Sequence, residues 1–224
     1  MADFFQNGIF ATIHKFRERP LEELEQELKQ FSRKRPMALV LPSLYSELQG
    51  DALPRILDDL THAHYLQEIV IGLDRANREE FQRAREFFSR LPQHHRVIWQ
   101  DGPRMAELNK LLKSHGLSTG EPGKGRNAWF CFGYILAAGK ARVVGLHDCD
   151  ILTYDRSLLA RLMYPVANPN FGIKFCKGYY ARVSNKLHGR VARLFVTPLV
   201  RSLRKILGPL EYLEYLDTFR YPLA

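Results

Sequence analysis

Four short apolar runs, each halted by a polar residue or a proline, recur along this chain with helical segments between them. They are Ala38–Leu41, Glu68–Leu73, the segment HHRVIWQD ending at Asp101, and VVGL at 143–146. Runs of this length that are apolar throughout suit strands buried on both faces. Strands alternating with helices predict an α/β fold, with a mostly parallel, doubly wound sheet and flanking helices. The last run carries the strongest chemical signal, because ARVVGLHDCDI at 141–151 breaks off in Asp148 and Asp150 with one residue between them. Ligands collect at the carboxyl ends of strands in such sheets. Carboxylates at i and i+2 of extended chain point to one side, where they can hold a hard divalent cation whose other positions are filled by phosphate oxygens and water. Asp also caps turns readily, so the pair gains its weight from its neighbours.

Between the runs the spacing predicts helices through LPRILDDLTHA, through ANREEFQRAREFFSRL with Phe81, Ala84, Phe87 and Phe88 on one side, near Arg104–His115, through AWFCFGYILAAG, and over Arg156–Tyr164. Pro42, which cannot donate to a ladder, is expected to end the first strand. A strand pair is expected over Gly172–Arg182 and a basic helical run near the end. Residues 1–35 read as a polar helical appendage packed on the main domain, with Leu21, Leu24 and Leu28 at helical spacing. The expected organisation is therefore an appendage at 1–35, an α/β ligand-binding half at 36–155 and a second half at 156–224.

A chain of 224 residues fits one large domain. It has no apolar run near the roughly 20 residues that cross a membrane, and no basic n-region leading into a long apolar core. Cys131, Cys149 and Cys176 are widely spaced without a CxxC pair, which suggests a reducing compartment, with the cytoplasm as the expected location. The formal charge of +9 attracts anions. Much of it sits late, in Arg182, Lys186, Arg190, Arg193, Arg201, Arg204 and Lys205. No nucleic-acid module or dense basic arm is present, so a small phosphorylated ligand is expected and nucleic acid is not. The stretch HGRVARLFVTPLVRSLRKIL has two readings: an amphipathic surface resting on anionic lipid, or a loop leading into a packing helix. The second is favoured, because Pro198 is expected to break a helix near the middle of the stretch. Trp129, Phe130, Phe132 and Tyr134 read mainly as core. His147 reads as a hydrogen-bonded structural residue.

Pro42-Ser43-Leu44 with Glu47, then Asp74, the loop Gly123-Lys124-Gly125 and Asp148-Cys149-Asp150 follow one another along the chain. A lysine between two glycines can bring backbone N–H groups and an ammonium close to phosphate, although no P-loop is present. In this order and spacing the features resemble the GT-A glycosyltransferases. The narrower resemblance is to the retaining glucosyl-3-phosphoglycerate synthases and their mannosyl-3-phosphoglycerate synthase-like relatives. The family's motifs are met as VLPSLYSE at 40–47, GKG at 123–125, the D-x-D strand end, and GRVARLFVTPLVRSL from Gly189 to Leu203.

The resemblance implies a metal-dependent, retaining transfer of a hexose, glucose from UDP-glucose, to a small acidic acceptor such as 3-phosphoglycerate or glycerate, with Mg²⁺ or Mn²⁺ as cofactor. It implies that Pro42, Ser43 and Leu44 line the uracil and ribose pocket, with Glu47 or Ser46 nearby. Asp74 would contact the nucleoside and Lys124 the nucleoside or diphosphate. Asp150 would be the chief direct metal ligand, with Asp148 also offered to the metal but nearer the sugar or ribose. Gly189 and Arg190 would hold the acceptor's carboxylate or phosphate, a task suited to arginine's planar fork. Tyr45-Ser46 stands where the family has Asn-Glu, and Ala192 where it has threonine. The family continues beyond a point like FRYPLA with a metal-binding histidine, and its members commonly dimerise. Two other readings are an inactive nucleotide-binding domain and a membrane-associated transferase with a lipid-linked acceptor.

Overall fold

The computed structural model describes residues 10–13, 19–178, 192–208, 210 and 213. The chain divides into two compact units: Arg17–Ile173, and residues up to Phe16 together with those from Lys174 onward.

The Arg17–Ile173 unit is built on a four-stranded sheet. Its strands are β2 (Met37–Leu44), β3 (Leu66–Asp74), β4 (His94–Trp99) and β5 (Val143–Leu146), in spatial order β4-β3-β2-β5 and all parallel. The period-two alternation of strands assigns each side chain to a face. Leu39, Leu41, Ile69, Ile71, Leu73 and Val143 join one core with Leu24 and Leu28 of α1 (Leu21–Ser32), Ile56 and Leu57 of α2 (Ala52–Leu60), Ala84 and Phe88 of α3 (Arg78–Phe88), and Leu159 and Met163 of α6 (Arg156–Ala167). Ala38, Val40 and Val70 face the other way and pack on Cys131 and Ile135 of α5 (Lys124–Ala138). A further helix, α4 (Pro103–Ser114), follows β4. Helices thus flank both faces of a parallel sheet, as the alternating pattern predicts.

Several elements differ from the sequence expectation, each for a physical reason. β2 runs through Pro42 to Leu44. The backbone groups of Pro36 and Val40 bond towards β5, since Val143 N–H donates to Pro36 and His147 N–H to Val40. By alternation Pro42 faces that side too, but β5 has ended at Leu146, so no ladder acceptor awaits the missing donor. α5 starts at Lys124, three residues after Glu121 and with Gly123 as its N-cap, so Lys124 belongs to a helix and not to a loop. Gly139, at φ 64°, closes that helix in the left-handed conformation that glycine adopts without strain. Leu24 and Leu28 of α1 are in the main core, and Arg156 of α6 contacts Glu25 at 3.0 Å. The expected boundary at 155/156 falls inside this unit.

In the other unit β1 (Phe10–Ile13) pairs in parallel with β6 (Phe175–Gly178), from Phe10 opposite Phe175 to Ile13 opposite Gly178. Residues 10–13 were expected to be helical, but FATI ends in two β-branched residues that suit extended chain. A π-helical turn at Ala192–Val196 enters α7 (Thr197–Leu207). Pro198 lies where the π-helical turn gives way to the first turn of α7, so it marks a change of helix type and not an end of the helix.

Gly72 of β3 marks the closest approach of α5 to the sheet. Asn127 Nδ2 donates to the Gly72 carbonyl at 2.7 Å, and Asn127 Oδ1 accepts from Gln100 Nε2 at 3.1 Å. An added Cβ at Gly72 would lie 1.7 Å from Asn127 Oδ1 and 2.7 Å from Cys131 Sγ. At Gly145 of β5 it would meet the Met163 sulfur at 2.7 Å, at the adaptable end of a flexible side chain. Gly72→Ala is expected to destabilise the chain by about 3 kcal/mol through overpacking and a broken buried network, and Gly145→Ala by no more than about 1 kcal/mol. Denaturant midpoints at constant m-value test this, and equal losses would contradict it.

Candidate active site

The order β4-β3-β2-β5 places chain connections on opposite sides of β2, which makes the gap between the carboxyl ends of β2 and β5 the topological switch point of this sheet. β2 delivers Pro42, Ser43 and Leu44 there. The following 3₁₀ turn, Tyr45–Gln49, carries Glu47, whose Oε2 accepts the Leu44 N–H at 2.9 Å. The Ser43 hydroxyl donates to the Leu44 carbonyl at 3.1 Å. Burial raises the pKa of the Glu47 carboxyl, and the charge of Asp150 adds to the rise, while the hydrogen bond from the Leu44 N–H and the charge of Lys124 oppose it.

β5 delivers the two aspartates. Its alternation persists past Leu146: His147 and Cys149 are buried, Asp148 is partly exposed and Asp150 is exposed. Cys149 belongs to the α6-side core, so the carboxylates turn to the α5 side of the sheet. There Lys124, the first residue of α5, forms an ion pair with Asp148 Oδ1. A lysine at a helix N-terminus opposes the helix dipole, and the Asp148 carboxylate offsets both charges.

Asp74 ends β3 opposite Leu44 of β2. It is buried, and its Oδ1 accepts the N–H of Arg75, which sits at φ 56°. Asp101 Oδ2 accepts the next N–H, from Ala76, at 3.0 Å, and Trp99 Nε1 donates to the Ala76 carbonyl at 2.7 Å. This satisfied turn releases the chain into α3, whose capping box joins Asn77 and Glu80.

No protein-family model matches the chain. It is 52% identical over 224 residues to the glucosyl-3-phosphoglycerate synthase of Persephonella marina and 37% identical over 226 residues to that of Methanococcoides burtonii. These alignments take in 100% and 99% of this chain but 56% and 55% of the relatives, so the chain spans about half their length. Over that half, this chain is similar in sequence to the glucosyl-3-phosphoglycerate synthases. A crystal structure of the Mycobacterium tuberculosis glucosyl-3-phosphoglycerate synthase in complex with Mn²⁺, UDP and glucosyl-3-phosphoglycerate superposes with a TM-score of 0.56 at 22% identity, covering 88% of this chain and 59% of that one. Another, in complex with Mn²⁺, UDP-glucose and phosphoglyceric acid, gives 0.56 at 21%, covering 89% and 60%. At this level of identity the likeness carries the fold, which is of the GT-A type.

Of the positions that resemble glucosyl-3-phosphoglycerate synthase motifs, the structure brings Ser43, Leu44, Glu47, Lys124, Asp148 and Asp150 together at the switch point, with Pro42 and Asp74 one strand position or one strand away. Gly189 and Arg190 lie outside the described residues. Trp129 departs from expectation. The inward face of α5 is Asn127, Phe130, Cys131 and Ile135, and Trp129 falls outside that phase at 53% exposure. It borders an open cavity of about 290 Å³ with Arg126, Gly125 and Ser118–Gly120. The helical phase seen once α5 begins at Lys124 is the signal that separates Trp129 from the core residues.

Among the described residues no group of three or more His, Cys, Asp or Glu side chains converges on a metal position. Two carboxylates do fit a hard divalent ion that takes its remaining ligands from phosphate and water, and the Lys124 ammonium already resting on Asp148 shows that this position accepts a cation.

His147 is buried. Its Nδ1 lies 3.0 Å from the Asp148 carbonyl, which can only accept, so Nδ1 carries the proton. Its ring packs on Tyr154 at 4.9 Å, and Nε2 is buried without a partner. Burial lowers its pKa from 6.5 to about 4. The unfolded chain therefore binds a proton that the folded chain refuses between these values, and stability falls as pH drops from 6.5 towards 4. The loss from this residue is on the order of 3 kcal/mol. Imidazole resonances followed by NMR should show His147 still neutral at pH 5. A His147 midpoint near 6.5 would contradict its enclosure.

Proposed function

We propose that this chain carries the donor-binding half of a metal-dependent, retaining glucosyltransferase. It takes glucose from UDP-glucose and passes it to 3-phosphoglycerate or glycerate. The observation that carries the reading is the meeting of Asp148 and Asp150 with Lys124 and the Ser43–Glu47 segment at the switch point of a GT-A sheet. The names of the two curated relatives support the transfer to 3-phosphoglycerate. The ligands named for the Mycobacterium tuberculosis enzyme, Mn²⁺ with UDP-glucose and phosphoglyceric acid, support the donor and the metal.

In this reading Asp150 and Asp148 hold Mg²⁺ or Mn²⁺, which when bound neutralises charge on the leaving diphosphate. Pro42, Ser43 and Leu44 line the base and ribose, Glu47 fixes the Leu44 backbone that carries them, and Asp74 borders the nucleoside. Lys124 donates to a diphosphate oxygen. Motif resemblance alone assigns the acceptor's carboxylate or phosphate to Gly189 and Arg190, which lie outside the described residues. The acceptor hydroxyl oxygen forms its bond to the anomeric carbon on the face that the leaving phosphate vacates. The hydroxyl proton passes to that phosphate, so configuration is retained without a carboxylate nucleophile. Catalysis then rests on positioning and on fixed charge. The absence of the family's threonine hydroxyl at Ala192 makes glycerate as well as 3-phosphoglycerate an acceptor to assay.

A second reading has one observation in its favour. α7 exposes Leu199, Ile206 and Leu207 close to Arg201 and Lys205, a pattern that suits an anionic lipid surface. Co-sedimentation with anionic vesicles that persists in the Asp148→Asn/Asp150→Asn double variant would support a membrane-associated transferase.

The donor reading is tested by calorimetric titration of UDP and UDP-glucose into the chain with Mn²⁺, and again with EDTA. Binding is expected with the metal and is expected to weaken at least about tenfold without it, the size of a charge-assisted contact. Asp150→Ala should abolish the metal dependence while leaving the melting temperature within a few degrees of the parent. Unchanged UDP affinity in that variant would sink the assignment.

A further inference from the structure

The ion pair between Lys124 and Asp148 joins residues that the donor reading gives to different partners, one to the diphosphate and the other to the metal. Both cannot serve those partners while they hold each other. Asp148 is 24% exposed and Lys124 51% exposed, at the free end of a four-carbon stem anchored in the first turn of α5. The pair is therefore reachable by solvent and by an incoming ion, and the ammonium can move without disturbing the helix. Three carboxylates, Glu47, Asp148 and Asp150, share this end of the sheet, and Lys124 is the cation whose charge reaches Glu47 and is bound to Asp148. The Glu47 carboxylate is turned back onto the Leu44 N–H, which leaves the two aspartates to compete for positive charge.

We propose that the Lys124 ammonium stands in for the divalent ion on Asp148 while the cleft is empty, and that the ion's arrival releases Lys124 to the diphosphate, coupling the two binding events. This rests on the donor reading and adds to it a reason for the two ligands to bind cooperatively. The ion must displace an ammonium when it binds alone. When the nucleotide is present, the displaced ammonium gains a new anionic partner. By linkage, whatever the metal adds to nucleotide affinity the nucleotide adds to metal affinity. Lys124 then has effects of opposite sign in the two situations. A lysine that only contacts phosphate would leave metal binding to the empty protein untouched. One that only braces the fold would weaken both.

The test measures Mn²⁺ binding to the nucleotide-free chain by the EPR signal of free Mn²⁺, and UDP binding at saturating Mn²⁺ by calorimetry, in the parent, Lys124→Met and Lys124→Arg. Lys124→Met is expected to bind Mn²⁺ about threefold more tightly in the empty state, the size of losing one partly exposed ion pair, and UDP at least about tenfold more weakly. Lys124→Arg, which keeps the charge, should stay near the parent in Mn²⁺ affinity. Mn²⁺ affinity unchanged or weakened in Lys124→Met, with the parent binding Mn²⁺ and UDP normally, overturns the competition and leaves the donor reading standing. A parent chain that binds no UDP in the presence of Mn²⁺ overturns the donor reading, and this inference with it. Melting curves for the three proteins separate either result from a failure to fold.

Discussion

β5 pairs with β2 for only four residues, and the carboxyl edge of the sheet is organised by where that pairing stops. Beyond Leu146 one last bond to β2 remains, from the His147 N–H to the Val40 carbonyl, and past it the chain keeps its alternation because Cys149 is packed inside. A slip of one residue would turn Asp148 and Asp150 into the core and expose a histidine and a thiol that are now buried. Burying two carboxylates without partners would cost several kcal/mol each, so the apolar floor fixes the aspartates on the α5 side more firmly than any contact they make themselves. The same early stop leaves one side of β2 free at Pro42. That lets β2 run two residues further and carry Ser43 and Leu44 to the site.

The second anchor is α5. Asn127 ties this helix to the Gly72 carbonyl and to Gln100, and a glycine is needed at that point because no side chain would fit beneath the amide. Lys124 precedes Asn127 by less than one helical turn, so the network that seats the helix also sets where its first residue stands. Position along α5 and register along β5 are therefore fixed by separate devices on opposite faces of the sheet. The Lys124–Asp148 pair spans the two.

How much of this was legible in the sequence depends on whether the signal was local. The four strands were readable from their apolar runs, and Asp148 and Asp150 from the spacing that puts them on one side. Cys149 pointing inward follows from the same alternation. Two other features were not readable because a partner distant in sequence decides them. Pro42 reads as a strand end until β5 is known to stop at Leu146. FATI at 10–13 is too short to outweigh its surroundings until Phe175–Gly178 pairs with it. The start of α5 was missed because GKG reads as loop, and with it the phase that puts Trp129 outside. The pairing of Lys124 with Asp148, 24 positions apart, has no local signature.

The chemistry of the donor set constrains the order of events at this site. Glu47 is committed to the strand end by its bond to Leu44, so drawing it onto a metal would release the backbone that presents Ser43 and Leu44. Among the described residues that leaves two carboxylates, one exposed and one already paired, which is a poor cage for a divalent ion by itself. A diphosphate supplies the oxygens such an ion lacks, and the ion supplies the charge that lets a diphosphate approach three carboxylates. In the donor reading each ligand would remove the obstacle to the other, so that the two would bind more tightly together than either alone. In the donor reading the ammonium on Asp148 would hold the place of the metal in the empty cleft, while the apolar floor keeps the aspartates facing it.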